Sequence, residues 1–352
     1  MSNRLVEIAE DSARGGFSLF LGDASSTIIL AVGSILVARL LGPSGYGIYS
    51  LTLVAPMLLG SLIGLGVDYA VVRFPAKFRV ENRHKRTLGI LKSALIFRLI
   101  TGVVMSLLCF LYSDFLAVYL LNRSEIGFYV KLASILILFQ TLFNLVYYAF
   151  IGLDMAERSS LIKALMSIVK ASTAPLLIIL GLGVTGAVMG HVLGYIVAGI
   201  AGTSLLYFGP YRSLKSALKD AKDEGGNSFL GNLKLMVGYG FPLYLSSILL
   251  LVAGQYQLIL LAYYVSNLEI GSFRAAVNLS SLLVVVVTPI TTALFPAFSK
   301  LNPKSENQEL KRFFNLSVKY SSLLIVPIAA AVMVLSASLV NVVYGANMHL
   351  KF

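Results

Sequence analysis

The chain has 352 residues, of which 57% are hydrophobic and only 12% are charged, and its formal net charge is +12. A soluble globular domain has about 25% charged residues, so this composition, with a mean hydropathy of +0.85, excludes an ordinary soluble domain. The basic balance does not indicate nucleic-acid binding, because the Lys and Arg residues lie beside apolar segments and are not interleaved with stacking aromatic residues. The composition predicts a polytopic membrane protein.

Apolar runs of about 20 residues, the length that crosses the hydrocarbon core as a helix, recur along the whole chain. Continuous runs indicate helices, because the strands of a membrane barrel alternate polar and apolar residues. The predicted fold class is therefore an all-α polytopic membrane protein with nine spans. These spans are residues 17–40, 47–72, 90–112, 128–152, 161–181, 187–208, 239–262, 272–296 and 315–343.

The charges of the connecting segments predict the orientation of these spans. Most of the 28 Lys and Arg residues fall in the N-terminal segment and in the second, fourth, sixth and eighth loops. Positive residues are retained on the cytoplasmic side, so the N-terminus is predicted to be cytoplasmic, with the protein in the cytoplasmic (inner) cell membrane. The single cysteine, Cys109, lies within a span, which excludes an internal disulfide and a thiolate metal cluster.

The sequence contains an internal repeat. Residues 16–21, GFSLFL, return as residues 240–245, GFPLYL, and at the same offset GIY at 47–49 meets GSF at 271–273. Both copies start on the cytoplasmic side, so the repeats are parallel, as in transporters with two rocking halves. The predicted domains are a six-helix bundle at residues 1–208, a cytoplasmic linker at 209–236 and the first three helices of a second bundle at 237–352. The missing helices fit either a truncated chain or a protein that works with nine spans.

A resemblance to a known family is carried by VARLLGPSGYGIYSL at residues 37–51, GLGVDYAVVRFPA at 64–76, and the weaker second copy YVSNLEIGSFRAAV at 264–277 with LFPAF at 294–298. These motifs resemble the polysaccharide-biosynthesis transporters of the multidrug/oligosaccharidyl-lipid/polysaccharide (MOP) exporter superfamily, and most of all its Wzx-type flippases. The resemblance implies a MATE-like fold, in which two six-helix bundles enclose a cationic central cavity. The glycine pair in GLGVDY is interpreted as a packing pair within a helix and not as a phosphate loop, since no strand precedes it.

The resemblance also implies a function. Polyprenyl-diphosphate-linked oligosaccharide would enter from the cytoplasmic leaflet and leave in the outer leaflet, for the synthesis of cell-surface polysaccharide or glycoprotein glycans. The expected partners are this substrate, membrane lipids, and the polymerase and glycosyltransferases of the same pathway; no cofactor, metal or nucleic acid is expected. Two alternatives stay open: a cation-coupled multidrug or metabolite exporter of the same superfamily, and a membrane-embedded polymerase or ligase, although the outer loops offer few acids for catalysis.

Ionisable and polar residues within the spans are the candidates for the site, because a charge at membrane depth costs roughly 2.5–3.5 kcal/mol on insertion scales. The candidates for substrate binding are Lys170, Arg98, Lys163, Gln140, Asn144, Gln255 and Gln257; those for ion coupling are Asp23 and Asp68; those for an exit gate are Arg39 and Arg274.

Each candidate also has a structural interpretation. Lys170 fits an ammonium that attracts a diphosphate, one paired with a carboxylate or a helix-end carbonyl, or a helix that lies less deep than predicted. Arg98 fits a cavity lining, a side chain that snorkels to the cytoplasmic surface, or a pair with Asp68. Asp23 needs a partner in another helix, a coupling cation or a wet vestibule. His191 is interpreted as a packed histidine at an outer helix end rather than a proton relay.

Overall fold

The computed structural model describes residues 2–217, 228–280 and 307–344, and these residues form helices and short connections without a strand. The helices are α1 (Ser2–Thr52), α2 (Val54–Leu62), α3 (Val67–Val80), α4 (His84–Leu111), α5 (Ser113–Phe115), α6 (Gly127–Ala133), α7 (Ile135–Gly152), α8 (Ala156–Leu177), α9 (Gly183–Leu206), α10 (Arg212–Ala217), α11 (Phe229–Tyr264), α12 (267–280), α13 (Asn307–Val334) and α14 (Ser336–Tyr344). Short π-helical segments follow α5, α8 and α9. The predicted all-α membrane fold is confirmed.

Six stretches of the described residues are long and apolar enough to cross a membrane. Two of them, Phe17–Leu62 and Ala156–Ser216, have 46 and 61 residues, and each contains a chain reversal. The predicted eighth span, residues 272–296, runs into residues outside the described part of the chain, as does the LFPAF segment of the second repeat. The count of nine spans therefore stays a prediction.

Glycines in the left-handed region make the two reversals. Gly42 has φ 66°, and beyond it the Tyr46 hydroxyl lies 2.7 Å from the Ser34 hydroxyl, whereas twelve residues of straight helix would separate them by about 18 Å. Gly181 and Gly183 have φ 90° and 51° between α8 and α9. Both turns lie where the sequence predicts a connection between spans. The chain can reverse at these glycines because glycine adopts a positive φ without a Cβ clash.

The second predicted span, residues 47–72, is not one continuous helix. α2 ends at Leu62 and α3 begins at Val67, and between them Leu65 and Gly66 have φ 44° and 77°. The GLG segment therefore breaks the helix, and the prediction that its glycines lie within a helix was wrong. Gly66 does pack closely, because a Cβ atom on it would overlap the backbone of Gly240 in α11. Irregular backbone at membrane depth is tolerated where protein covers it, and here the Tyr244 hydroxyl donates to the Leu62 carbonyl at 2.7 Å.

α11 begins inside the segment predicted as a linker, residues 209–236. The Ser228 hydroxyl caps this helix by accepting from the backbone N–H of Gly231 at 3.2 Å, so that the helix starts at Phe229. Residues 218–227 of the predicted linker lie outside the described residues. The domain boundaries at 208 and 237 stay predictions.

The two halves meet backbone to backbone at equivalent glycines of the internal repeat. A Cβ atom on Gly47 would overlap the carbonyl oxygen of Asn267, and one on Gly271 would overlap the carbonyl oxygen of Pro43. The second helix of the first repeat therefore begins against its counterpart in the second repeat. Such a contact is expected if the axis that relates parallel repeats passes between these two glycines.

We expect Gly47→Ala to destabilise the protein by about 1–3 kcal/mol, because its methyl group must push two backbones apart. The matched control is Gly254→Ala in α11, where a Cβ atom would meet nothing within 4 Å. Thermal unfolding of the purified variants in detergent checks this difference. Equal melting temperatures for the two variants would mean that the halves do not meet at Gly47.

The described halves also contact each other on both faces of the membrane. On the predicted outer face, Arg123 donates to the Val265 carbonyl at 2.5 Å and to the Asn267 amide oxygen at 3.2 Å. On the predicted cytoplasmic face, the Asn232 amide donates to the Ser93 hydroxyl at 3.0 Å. Together with the hydrogen bond from Tyr244 to Leu62, these contacts hold α11 and α12 against the first bundle. They lie on both sides, along the membrane normal, of the space between the two halves.

Candidate functional site

A central cavity of about 230 Å³ lies between the halves, and residues of α1, α2, α8, α9, α11 and α12 line it. Three predicted site residues, Lys170, Gln255 and Arg274, line this cavity together, although they come from three different helices. Among the described lining residues there is no Asp or Glu. The cavity is therefore basic, and a compact anion would be attracted to it in a medium of low dielectric constant.

A close approach of α8 and α9 positions Lys170. A Cβ atom on Gly194 would lie 2.8 Å from the Lys170 Cβ, and one on Gly190 would overlap the backbone of Ala174. In the sequence, small residues recur every four positions along the sixth predicted span, at Gly186, Gly190, Gly194, Ala198 and Gly202. This glycine face allows the two helices to pack closely. In the described part of the chain, no carboxylate lies within 4 Å of the Lys170 ammonium.

His191 lies directly beside Lys170. Its Nε2 is 3.5 Å from the Lys170 Nζ, its Nδ1 is 2.8 Å from the Tyr49 hydroxyl, and its ring stacks on Tyr195. A neutral imidazole that presents Nε2 to an ammonium carries its proton on Nδ1 and donates it to Tyr49. His191 is packed, with 1% of its surface exposed, but it also lines the central cavity. The glycine face of α9 was the sequence signal for this position, since it indicates which side of α9 meets α8.

A second cavity of about 210 Å³ lies between the helix break and α4, α7 and α11. Arg98, Asp68 and Asn144 line it together. The Arg98 guanidinium lies 2.5 Å from the Asp68 carboxylate, and the two side chains are 2% and 22% exposed. Arg98 therefore both forms the ion pair and lines a cavity, and Asp68 already has a cationic partner.

Asp23 and Lys163 form another ion pair outside the central cavity. The Lys163 Nζ lies 2.7 Å from the Asp23 Oδ1, and the Tyr147 hydroxyl donates to the same carboxylate at 3.1 Å. Lys163 shares a helix face with Lys170 but lies seven residues away, which is about 10 Å along the axis. This offset explains why Lys163 is not among the residues that line the central cavity.

Three other candidates are not brought to the central cavity. Arg39 donates to the carbonyls of Val342 and Val343 in α14 and lines neither cavity, whereas Arg274 lines the central one, and the exit gate stays a prediction. Gln257 is exposed and lines neither cavity, because two residues correspond to about 200° around a helix and Gln255 faces inward. The Gln140 side-chain oxygen is buried without a hydrogen-bond partner among the described residues.

Comparison with known proteins agrees with this architecture. The chain is 26% identical over 324 residues to the probable flippase AglR of Haloferax volcanii, covering 90% of this chain and 61% of that protein. It thus spans about 61% of the length of this curated relative.

Solved structures of the MOP superfamily share the fold. A multidrug resistance MATE family transporter matches in its inward-facing conformation with a TM-score of 0.65 and 17% identity, over 92% of this chain and 75% of that one. Its outward-facing conformation matches with a TM-score of 0.61 and 18% identity, over 96% and 76% of the two chains. The resemblance inferred from the sequence motifs is confirmed. Since residues 12–302 match the polysaccharide biosynthesis protein family, the chain belongs to that family.

Proposed function

We propose that this protein is a flippase that moves polyprenyl-diphosphate-linked oligosaccharide across the cytoplasmic membrane by alternating access. The observation that carries the proposal is the pair of cationic side chains, Lys170 and Arg274, in the central cavity of a member of this family. A diphosphate is the most highly charged part of such a substrate, and charge-assisted hydrogen bonds to it are strong where water is excluded. The N-terminus is cytoplasmic, and the translocated glycan serves cell-surface polysaccharide or glycoprotein synthesis.

The proposed role is transport without catalysis, and the polymerase and glycosyltransferases of the pathway act before and after it. A cation-coupled exporter of drugs or metabolites would need acidic groups in its cavity. The described lining of the central cavity has none, and both candidate coupling residues, Asp23 and Asp68, are held in ion pairs. This arrangement supports the flippase over the exporter.

Reconstitution tests the proposal. The chain is placed in liposomes with a fluorescent lipid-linked oligosaccharide, and the accessibility of the glycan to an external lectin or of the fluorophore to an external quencher is followed over time. We expect protein-dependent movement of the diphosphate-linked glycan but not of a fluorescent phospholipid in the same vesicles. If no diphosphate-linked substrate moves faster than in protein-free liposomes, the proposed function is wrong.

A further inference from the structure

The second cavity lies next to the central cavity along the same two helices. On α2, the lining of the central cavity reaches Met57 and that of the second cavity starts at Gly60. On α11, the corresponding residues are Gln255 and Leu251. Three or four residues of helix correspond to about 4.5–6 Å, so only about one helical turn separates the two cavities. A single ligand that carries different groups at its two ends can therefore reach both.

The chemistry of the two cavities differs. The central cavity has two cations without a carboxylate in its described lining, whereas in the second cavity the charge of Arg98 is offset by Asp68 at 2.5 Å. The remaining lining of the second cavity combines amide and hydroxyl groups with aromatic rings, from Asn144, Tyr148 and Tyr244. The second cavity is therefore suited to a neutral polar ligand and not to an anion.

Several polar groups around the second cavity are free to bind a ligand. In the described residues, no hydrogen bond uses the side-chain amide of Asn144 or the hydroxyl of Tyr148. Each of these groups can therefore bond a ligand in the second cavity without first breaking a bond within the protein.

We propose that the second cavity binds the sugar attached to the diphosphate, while Lys170 and Arg274 hold the diphosphate itself. The inference rests on the proposed function. Sugar hydroxyls both donate and accept hydrogen bonds, which Asn144 and Tyr148 can match, and the apolar faces of a sugar ring pack on aromatic rings such as Tyr244. The second cavity lies toward the predicted cytoplasmic face, so the glycan points to that side when the substrate enters.

Binding measurements with paired probes test this inference. The probes are farnesyl diphosphate and three farnesyl diphosphates that carry glucose, galactose or N-acetylglucosamine, and affinities are measured by calorimetry on the purified chain in detergent. We expect the unsubstituted protein to bind at least one sugar-bearing probe more tightly than farnesyl diphosphate. Asn144→Ala and Tyr148→Phe should each weaken that probe about five-fold or more and change farnesyl diphosphate less than about two-fold.

Two exposed residues of α11 provide matched controls. Gln257→Ala and Tyr256→Phe remove the same kinds of group outside both cavities, and they should leave all affinities unchanged. The inference is wrong if no sugar-bearing probe binds more tightly than farnesyl diphosphate, or if Asn144→Ala and Tyr148→Phe weaken every probe equally or not at all. The proposed function fails separately, if no diphosphate probe binds or if Lys170→Ala leaves all their affinities unchanged.

Discussion

Lys170→Ala is expected to lower the rate of oligosaccharide flipping by about 10- to 100-fold, while Lys170→Arg keeps part of the activity. The estimate follows from a hydrogen bond to a charged group, which contributes about 1.5–3 kcal/mol. Lys170 presents its ammonium to the central cavity without a carboxylate within 4 Å among the described residues, so an anionic substrate is free to pair with it. Arginine retains the positive charge but not the compact shape of an ammonium.

Lys131→Ala is the matched control for this substitution. The Lys131 ammonium lies 4.7 Å from the centre of the Phe110 ring and lines neither cavity, so its loss should leave the rate unchanged. Initial rates in proteoliposomes are compared at equal amounts of inserted protein, with thermal unfolding as a check on folding. Normal transport by Lys170→Ala would show that the substrate does not bind in the central cavity.

The helices and the two reversals could be predicted because each depends on local pattern, and the repeat could be predicted because residues 16–21 return as residues 240–245. Apolar length gives the spans, and glycine with proline gives the tight turn at Gly42. The break between α2 and α3 could not be predicted in this way. Leu65 adopts its unusual φ of 44° in a segment where Tyr244, almost 180 residues later, supplies a hydrogen bond to Leu62. Such support depends on which helices become neighbours.

The site residues could be predicted only in part for the same reason, since their contacts depend on which helices become neighbours. The cost of a buried charge identifies Lys170, Arg98 and Asp23 as residues that need partners. It suggested Asp68 for Arg98, which the structure shows, but it did not identify the neighbours of Asp23 and Lys170. Asp23 pairs with Lys163, 140 residues away, and the cavity joins Lys170 to Arg274, a residue expected at the exit. Lys163 and Lys170 share a face of α8, because seven residues are about two turns of helix. Their different depths in the membrane separate Lys163 from the central cavity.

Asp68→Asn is expected to destabilise the protein by about 3–5 kcal/mol, the cost of leaving a buried charge without its partner. The Arg98 side chain is only 2% exposed and lies 2.5 Å from the carboxylate, so it cannot turn to water when the negative charge is removed. Asparagine keeps the shape of the side chain, and the loss therefore reports the charge. Thermal and denaturant unfolding in detergent measure it.

Two further variants separate an uncompensated charge from a simple loss of contact. Glu81→Gln removes a carboxylate whose partners, Lys77 and Arg83, are 56% and 48% exposed, and exposed pairs contribute about 0–1 kcal/mol. The double variant Asp68→Asn with Arg98→Met should recover most of the stability, because it removes the stranded guanidinium and keeps an apolar chain in its place. Two results would contradict this prediction: Asp68→Asn lowers the free energy of unfolding no more than Glu81→Gln, or the double variant is less stable than Asp68→Asn alone. Either result would mean that Asp68 and Arg98 do not stabilise the packing of α3 and α4 as a buried charge pair.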